Sequence, residues 1–388
     1  MEGNGLEIKF DLPTSWRHGR GSAATAGEIL TGLGCTRALL LTDSLLLERK
    51  IVQPVLNSLD QTGIDYVVCG EVTAEPTLNM FESLVTTLDL KSFDSIVAVG
   101  GGSVLDVAKG LAVIASFGGN IIDYAGFNKV PGVPAQKIVA IPTTSGTGSE
   151  ISDGVVLIDE ARDTKFLVIS KKICPTVALT DPELTLSMPP RVTTCSGVDA
   201  LVHATESYIS RGANLTTELF ALKAVELLIA GFKPCLADGN DLKARESMQI
   251  GATMAMIAGM NSYLGLCHAL AMPLCALYHM PHGQACGMVL PAVLHYNAAV
   301  RNEKIVRVLK TMGLFDEAAG DDANDERAYD GLKKFLKEIG ISLHLSDFGY
   351  KAQDMATIVQ ATLKSAQTPT NPRTPSEQNI ANIVSRVM

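Results

Sequence analysis

The sequence lacks the charge pattern of a protein that binds nucleic acid or an anionic membrane. Its 388 residues carry 32 Lys and Arg against 41 Asp and Glu, a net charge of -9. Because phosphate backbones and anionic lipids attract basic patches, we expect neither partner. The start of the sequence, MEGNGLEIKFDLP, has no basic segment followed by an apolar one. We therefore expect no secretory signal and a cytoplasmic location.

Long apolar runs and paired cysteines are also missing. No stretch stays apolar for the roughly 18 residues that a membrane helix needs, so we expect no membrane span. Eight cysteines are present, but none form the CxxC pairs of a zinc ribbon or a redox centre. In a chain of this length we expect buried free thiols rather than disulfides. Apolar residues make up 47% of the chain, which is enough for a sizeable core, and the length favours two domains.

Short apolar runs alternate with helical stretches in the first half of the sequence. Four of these runs are rich in Val, Ile or Leu and end at a polar residue, Gly or Pro, which is typical of buried strands. They are Arg37–Thr42, Asp65–Cys69, Ser95–Val99 and Lys137–Ile141. Strands that alternate with helices predict a parallel sheet covered on both faces, and ligands of such sheets bind beyond the carboxyl ends of the strands.

The pattern changes after about Pro182, where strand-like runs become scarce. The predicted helices are Arg191–Ser210, Leu215–Phe232, Leu242–Leu264 and Ile305–Met312. We therefore predict an α/β dinucleotide-binding domain with a parallel sheet over residues 1–183, and an all-helical domain over residues 184–388.

A run of three glycines directly follows the third predicted strand and opens a helix. Gly100, Gly101 and Gly102 are followed by Ser103. Glycines let backbone amides approach a pyrophosphate, and the start of a helix adds positive potential. A tight strand-to-helix turn needs fewer glycines, so we predict a phosphate site. Asp106, in the first turns of that helix, would hold a ribose or a nicotinamide-side group, or would only satisfy the helix dipole.

Two further features at strand ends suit a nucleotide. The stretch Pro142–Glu150 (PTTSGTGSE) follows the fourth predicted strand and combines hydroxyls with glycines. Asp43 follows the first predicted strand, where a carboxylate accepts hydrogen bonds from ribose hydroxyls and repels a 2′-phosphate, which favours NAD over NADP. The alternative for Asp43 is the N-cap of the next helix, and both roles can hold together.

Four side chains have spacings that permit a metal site. Asp199 and His203 lie four residues apart, on one face of a predicted helix, and His268 and His282 lie further along the chain. Asp with three His suits Fe(II), Zn(II), Mn(II) or Co(II). The spacing alone leaves other interpretations open, namely a surface ion pair, a core histidine and a simple turn.

The motifs of this chain resemble those of the iron-containing (group III) alcohol dehydrogenases, and within that family the lactaldehyde reductase and propanediol oxidoreductase type. The similarity covers nearly the whole chain. The motifs that carry it are Gly100–Lys109 (GGGSVLDVAK), Pro142–Glu150, Thr180–Glu183 (TDPE), Gly197–Tyr208 (GVDALVHATESY), Gly265–Pro273 (GLCHALAMP), Pro281–Pro291 (PHGQACGMVLP) and Asn371–Arg373 (NPR).

The resemblance implies a role for each of these segments. It implies that Asp199, His203, His268 and His282 are the metal ligands, with iron the usual ion and zinc or manganese in some members. It implies that the Gly100 turn binds the pyrophosphate of NAD(H) in a cleft between the domains. Residues implied to line the cofactor are Thr143, Thr144, Thr147 and Lys165, although a solvated lysine is a rival interpretation of Lys165. We expect a homo-oligomer that transfers hydride to or from a small alcohol, diol, hydroxy acid or aldehyde.

The sequence departs from the family pattern at three positions. Met272 stands where a second histidine usually follows the third ligand, and His279 and Cys286 replace residues that are usually asparagine or similar. We hypothesise that His279 partly replaces the missing imidazole as a proton relay. Two other functions remain open, a lyase of the dehydroquinate-synthase type that uses NAD transiently, and a non-catalytic nucleotide-binding assembly protein.

Overall fold

A computed structural model describes residues 8–162 and 164–388. Residues 1–7 of the predicted first domain, which include most of the segment that suggested no signal peptide, lie outside the described residues. The described chain forms two compact units, 13–197 with Ala230–Thr253, and 8–12 with Val198–Ile229 and Met254–Met388. The predicted functional boundary between residues 183 and 184 remains a prediction.

The nine strands of the described residues form two sheets. Their bounds are β1 Ser15–His18, β2 Arg37–Leu41, β3 Asp65–Cys69, β4 Ser95–Gly100, β5 Gly126–Phe127, β6 Lys137–Pro142, β7 Gly154–Asp159, β8 Thr164–Ile169 and β9 Val177–Thr180. The larger sheet has the order β1-β9-β6-β4-β2-β3, and all its pairings are parallel. The predicted α/β class is thereby confirmed.

Both faces of the central strands are buried, which explains their continuous apolar sequences. Strand β4 is buried over its whole length. Ile96 and Ala98 pack into one apolar cluster, whereas Val97 and Val99 pack into the other. Alternate side chains of a strand point to opposite faces, so apolar residues at successive positions serve a core on each side of the sheet.

Five strands were not predicted from the sequence, namely β1, β5, β7, β8 and β9. Strand β9 is fully buried but has only four residues. The edge strand β1 is short and only half-buried. The hairpin of β7 and β8, with β5 as a third strand, forms a smaller sheet. Strand β7 alternates buried and half-buried residues, because a single face packs on the core. A search for fully buried strands therefore passes over it.

Thirteen α-helices lie in the described residues. Their bounds are α1 Ala26–Gly32, α2 Ser44–Glu48, α3 Gln53–Thr62, α4 Leu78–Thr87, α5 Gly102–Phe117, α6 Pro190–Ile209, α7 Leu215–Ala237, α8 Leu242–Ser262, α9 Leu266–Tyr278, α10 His282–Thr311, α11 Asp330–Glu338, α12 Met355–Lys364 and α13 Glu377–Ser385. The predicted helix Ile305–Met312 is the end of the 30-residue helix α10, which has non-helical angles at Arg301. The all-helical character predicted for the second half is confirmed.

The length and hydropathy of the helices bear on a membrane span. Among the described residues, no single helix is both long and apolar enough to cross a membrane. Helices α8 and α9 together have the length and hydropathy of a span, but the chain bends by 106° between them.

Candidate active site

One face of helix α6 carries three ionisable side chains. Asp199, His203 and Glu206 follow one another at spacings of four and three residues, so they lie on one side of the helix. All three are buried, with 5%, 5% and 2% of their surface exposed, respectively. Burying a charged group costs free energy unless it is paired, so a buried face of this kind needs compensating partners.

Helices α9 and α10 supply these partners from their first turns. His268 is the third residue of α9, and His282 is the first residue of α10, directly after Pro281, which occupies the N-cap position. Proline fixes the backbone before a helix begins, which sets the point at which His282 enters it. Cys286 lies one turn after His282 on the same side of α10.

The carboxylate of Asp199 is the centre of this cluster. Its Oδ1 atom lies 3.6 Å from His268 Nε2, 3.6 Å from His282 Nε2 and 3.9 Å from His203 Nε2. Two ligands bonded at about 2.1 Å to a tetrahedral ion lie about 3.4 Å apart, so these separations are close to those of a metal shell. They are longer than ordinary hydrogen bonds.

Unsatisfied polar atoms in the cluster support the same conclusion. Asp199 Oδ1 and His268 Nε2 are buried and have no hydrogen-bond partner among the described residues. Buried polar atoms almost always have partners, and orphans call for an explanation such as an ion. The carboxylate and imidazoles are also donors that first-row divalent cations accept. These residues therefore fit a divalent metal ion.

Glu206 holds His268 in the orientation that this geometry requires. Its Oε2 atom accepts a 2.7 Å hydrogen bond from His268 Nδ1 and a 2.9 Å bond from the Gly265 amide, while Oε1 accepts a 2.6 Å bond from the Cys267 amide. Because Nδ1 donates its proton to Glu206, Nε2 is the ring nitrogen left to bind a cation on the side of Asp199. The opposite ring nitrogen of His282 has a thiol neighbour, since Nδ1 lies 3.7 Å from Cys275 Sγ.

The electrostatics of the cluster favour positive charge. Burial opposes ionisation of Asp199, but the neighbouring imidazoles outweigh it and hold the pKa of this carboxyl below its ordinary range. Burial lowers the pKa of His203 to about 4. Burial also disfavours protonation of His268, but the neighbouring carboxylates of Glu206 and Asp199 outweigh it and raise its pKa to about 9. Two carboxylates thus favour positive charge beside His268, as expected of a site that attracts cations.

The glycine turn lies at the carboxyl end of β4 and starts helix α5. A Cβ atom at Gly100 would lie 2.5 Å from the Val104 side chain, and one at Gly102 would lie 2.8 Å from the Thr147 side chain. A Cβ at Gly101 would make only ordinary contact, 3.5 Å from the Thr144 methyl. Close packing within the chain therefore requires two of the three glycines. Gly102 and Ser103 contribute amides that helix α5 does not use within itself.

The predicted threonine loop lies beside this turn. The Thr143 amide donates a 3.0 Å hydrogen bond to the Gly100 carbonyl, and Gly100 is paired with Pro142 across the sheet. The side chains of Thr144 and Thr147 lie next to the places where Gly101 and Gly102 would carry a Cβ. The predicted cofactor residues of the two loops therefore lie together, at the carboxyl ends of adjacent strands.

Asp106 is bound to partners within the chain. Its Oδ1 atom accepts a hydrogen bond from Ser149 Oγ and pairs with Lys109 Nζ at 3.0 Å, and Oδ2 accepts a 2.9 Å bond from the Val156 amide. Lys109 is completely buried and also donates to Ser149 and Ser152. This network joins helix α5 to the end of the threonine loop. Both carboxylate oxygens of Asp106 therefore have partners within the chain, and its ribose or nicotinamide contact remains a prediction.

Three other predicted residues occupy more exposed positions. Asp43 caps helix α2 by accepting a 2.9 Å hydrogen bond from the Leu46 amide, which was the structural alternative for this residue. Ser103 donates its hydroxyl to the Ala74 carbonyl at 2.5 Å. Lys165 lies on β8 with its Nζ atom 3.8 Å from Glu75 Oε1. Their contacts with a cofactor remain predictions.

His279 does not continue helix α9. The helix ends at Tyr278, and His279 adopts left-handed angles with φ 47° and an exposed side chain. The helical spacing between residues 272 and 279 therefore no longer supports the hypothesis that His279 replaces an imidazole at Met272. The proton-relay role of His279 remains a prediction without that support.

Three side chains of the cluster were not predicted as site residues. Glu206 has a sequence signal, because it follows His203 by three residues and so lies on the same face of the helix as Asp199 and His203. Cys275 and Cys286 have no comparable signal, since a buried cysteine is usually a small core residue. Their proximity to His282 depends on how α9 packs against α10.

Sequence models of one family match most of the chain. The model of the iron-containing alcohol dehydrogenases matches residues 13–182. The model of the C-terminal part of the Fe-containing alcohol dehydrogenase family matches residues 193–388.

Individual proteins match over nearly their whole length. The chain is 32% identical over 379 residues to the NAD-dependent methanol dehydrogenase of Bacillus methanolicus, covering 98% of this chain and 99% of that protein. It is 35% identical over 367 residues to the 1,3-propanediol dehydrogenase of Citrobacter freundii, covering 94% and 95%. The crystal structure of a 1,3-propanediol oxidoreductase superposes with a TM-score of 0.93 at 33% identity, covering 98% of this chain and 100% of that chain. The chain belongs to the iron-containing alcohol dehydrogenase family and is an oxidoreductase of that type.

Proposed function

We propose that this enzyme is a metal-dependent, NAD(H)-using alcohol dehydrogenase or aldehyde reductase that acts on a small alcohol, diol or hydroxy acid by hydride transfer. The cluster around Asp199 Oδ1 is the observation that carries the proposal, because three imidazole nitrogens lie 3.6–3.9 Å from one buried carboxylate oxygen. Relatives named as methanol and propanediol dehydrogenases support a small alcohol substrate.

Asp199, His203, His268 and His282 would hold the cation. Iron(II) is our first choice because of the family, and zinc(II) or manganese(II) are the alternatives. When bound, the cation supplies Lewis-acid chemistry, which makes an alcohol more acidic and a carbonyl more electrophilic. Three neutral imidazoles and one carboxylate leave a divalent ion with net positive charge, which suits a substrate oxygen that becomes negative.

The chain itself supplies order and electrostatics around the reaction. Glu206 fixes the ring of His268 through the 2.7 Å hydrogen bond, so that this ligand needs little reorganisation. The first amides of α5 would bind the pyrophosphate of NAD(H), with Gly100 and Gly102 allowing close packing of the loop that carries Thr144 and Thr147. Lys109 and Asp106 would keep that loop in place through Ser149.

Asp43 is proposed to select NAD. Its Oδ1 atom caps α2, and a carboxylate has a second oxygen that can accept a hydrogen bond from a ribose hydroxyl. A 2′-phosphate at that place would be repelled. Lys165 is proposed to lie near the adenosine ribose.

Redox assays of the metal-loaded enzyme test the proposal. The protein is purified anaerobically, loaded with Fe(II) or Zn(II), and screened with short aldehydes, alcohols and diols at the NADH absorption band. We expect NADH to be consumed or formed in proportion to product, and loss of metal and of turnover by orders of magnitude in His268→Ala. The control is His344→Ala, at an exposed histidine of the same unit. Full activity after chelation, or product without a net change in NADH, would contradict it.

The cellular setting remains predicted from the sequence. We expect a cytoplasmic homo-oligomer with small-molecule substrates and without nucleic-acid or membrane partners. Sedimentation analysis measures the subunit number.

A further inference from the structure

Cys286 is buried beside the proposed metal ligands. In the sequence it was notable only as a departure from the family pattern. Its side chain is 0% exposed. Asp199, His268, His282 and Cys286 form a set in which one potential ligand atom from each residue lies within 4.8 Å of all the others. His203 is outside this set, at 3.9 Å from Asp199.

The distance from Cys286 to His282 matches two ligands of one ion. Cys286 Sγ lies 3.6 Å from His282 Nε2, the same nitrogen that faces Asp199. A tetrahedral ion with sulfur at about 2.3 Å and nitrogen at about 2.1 Å separates these ligands by about 3.6 Å. His282 and Cys286 occupy positions i and i+4 of α10, the same spacing as Asp199 and His203 on α6.

Two unpartnered buried atoms indicate that a cation belongs beside this thiol. Asp199 Oδ1 and His268 Nε2 have no hydrogen-bond partner in the described part of the chain, and both residues are at least 95% buried. A cation bonded to them lies next to Cys286, because all these ligand atoms are within 4.8 Å of one another.

We propose that Cys286 Sγ is a further ligand of the cation that Asp199, His268 and His282 hold. This inference rests on the metal site of the proposed function. Coordination breaks the S–H bond, forms a sulfur–metal bond and releases the proton to solvent. The thiolate would bring a second negative charge, which cancels the net positive charge that Asp199 and the imidazoles alone would leave on a divalent ion. It would also make the ligand set softer, which favours zinc(II) and cobalt(II) over manganese(II).

Cys275 provides a matched control within the chain. It is buried like Cys286, and its Sγ atom lies at nearly the same distance, 3.7 Å, from His282. It faces Nδ1, however, which is the ring nitrogen turned away from Asp199. We therefore assign the ligand role to Cys286 and not to Cys275, although both thiols contact the imidazole of His282.

Cobalt(II) spectroscopy tests the proposal. The full-length protein is stripped with a chelator, loaded with Co(II) under argon and compared with Cys286→Ser and Cys275→Ser. We expect a near-ultraviolet sulfur-to-cobalt charge-transfer band in the parent and in Cys275→Ser. In Cys286→Ser this band should disappear while the visible d–d bands persist, and the zinc-over-manganese preference should fall about tenfold or more.

The outcomes separate this inference from the proposed function. Cobalt(II) d–d bands without a charge-transfer band in the parent, or a band that persists in Cys286→Ser, overturn the sulfur ligand and leave the metal site intact. Failure of the parent to bind Co(II) overturns both. Zinc X-ray absorption of the parent needs no variant, and one sulfur at about 2.3 Å supports the proposal, whereas a shell of nitrogen and oxygen alone overturns it.

Discussion

Replacement of Glu206 by glutamine should weaken metal binding although Glu206 does not touch the proposed ion. Its carboxylate accepts three hydrogen bonds of 2.6, 2.7 and 2.9 Å from the Cys267 amide, His268 Nδ1 and the Gly265 amide. Glutamine has the same shape but only one accepting oxygen, and its amide group is a donor. At least one of the three N–H groups would then face another donor.

The structure sets the size of this effect. Loss of an orienting partner behind a metal-bound histidine costs about 10- to 100-fold in metal affinity, which is about 1.4 to 2.7 kcal/mol. A hydrogen bond to a charged group contributes about 1.5–3 kcal/mol, so the metal-free protein should lose stability by a similar amount. Because the hydrogen bond between Glu206 and His268 serves both, we expect the loss of metal affinity and the loss of stability in the same variant.

Competition with a fluorescent zinc chelator measures the affinity, and urea unfolding of the metal-free protein measures the stability. The control is Glu226→Gln on α7, whose carboxylate is exposed and pairs with Lys223 at 2.8 Å. We expect little change there, because exposed pairs contribute about 0–1 kcal/mol. An affinity within twofold of the parent in Glu206→Gln would refute the role given to Glu206.

Three further predictions concern the first unit. Gly100→Ala should cost about 1–3 kcal/mol in urea unfolding, because the new methyl would lie 2.5 Å from the buried Val104 side chain; Val104→Ala in the same chain should recover part of it, and equal losses in the single and double variants would count against the packing argument. Lys109→Met should cost about 3 kcal/mol or more, since it leaves Asp106 without its 3.0 Å partner; Asp106→Asn should reduce that cost, and additive losses would show that the two do not interact. Asp94→Asn should lower the free energy of unfolding by about 1–2 kcal/mol at pH 7, because hydrogen bonds to the Asp94 carboxylate overcome the effect of burial and hold its pKa below the ordinary value of 3.8. This stabilisation is present above pH 3.8 and is lost as the pH falls through the lower pKa of the folded state. A loss of stability that does not change with pH down to about 2 would contradict the assignment.

Strands β2, β4 and β6 were predictable because their sequences carry a direct physical signal. Strand β3 was also predicted as a buried strand, but it lies at the edge of the sheet with Val67 and Val68 exposed. A strand buried on both faces needs apolar residues at successive positions, as in β4, and the predicted bounds of Ser95–Val99 differ from it by one residue. The hairpin of β7 and β8 was not predicted, because a strand with one buried face has a weaker pattern.

The cluster around Asp199 was only partly predictable for a different reason. Local spacing places Asp199, His203 and Glu206 on one face of a helix, but their distance to His268 and His282 depends on the packing of three helices. The resemblance to a known family named the four proposed ligands in advance. It also marked Cys286 as a departure from the family pattern, but it gave no reason to expect a thiol among the ligands.

The sequence also did not reveal the partners of Asp106 within the chain. A carboxylate in the first turns of a helix behind a glycine turn suggests a ligand contact. Its actual partners are Ser149 and Val156, which lie 43 and 50 residues away in sequence. The nearby Lys109 at i+3 was a signal for an ion pair that could have been given more weight.

Anomalous diffraction from crystals of the zinc- or iron-loaded enzyme tests the central claim most directly. The account predicts one strong peak at the metal absorption edge, about 2.0–2.3 Å from Asp199 and from the imidazoles of His203, His268 and His282. A peak elsewhere in the molecule, or an occupied site from which one of these side chains turns away, would contradict it.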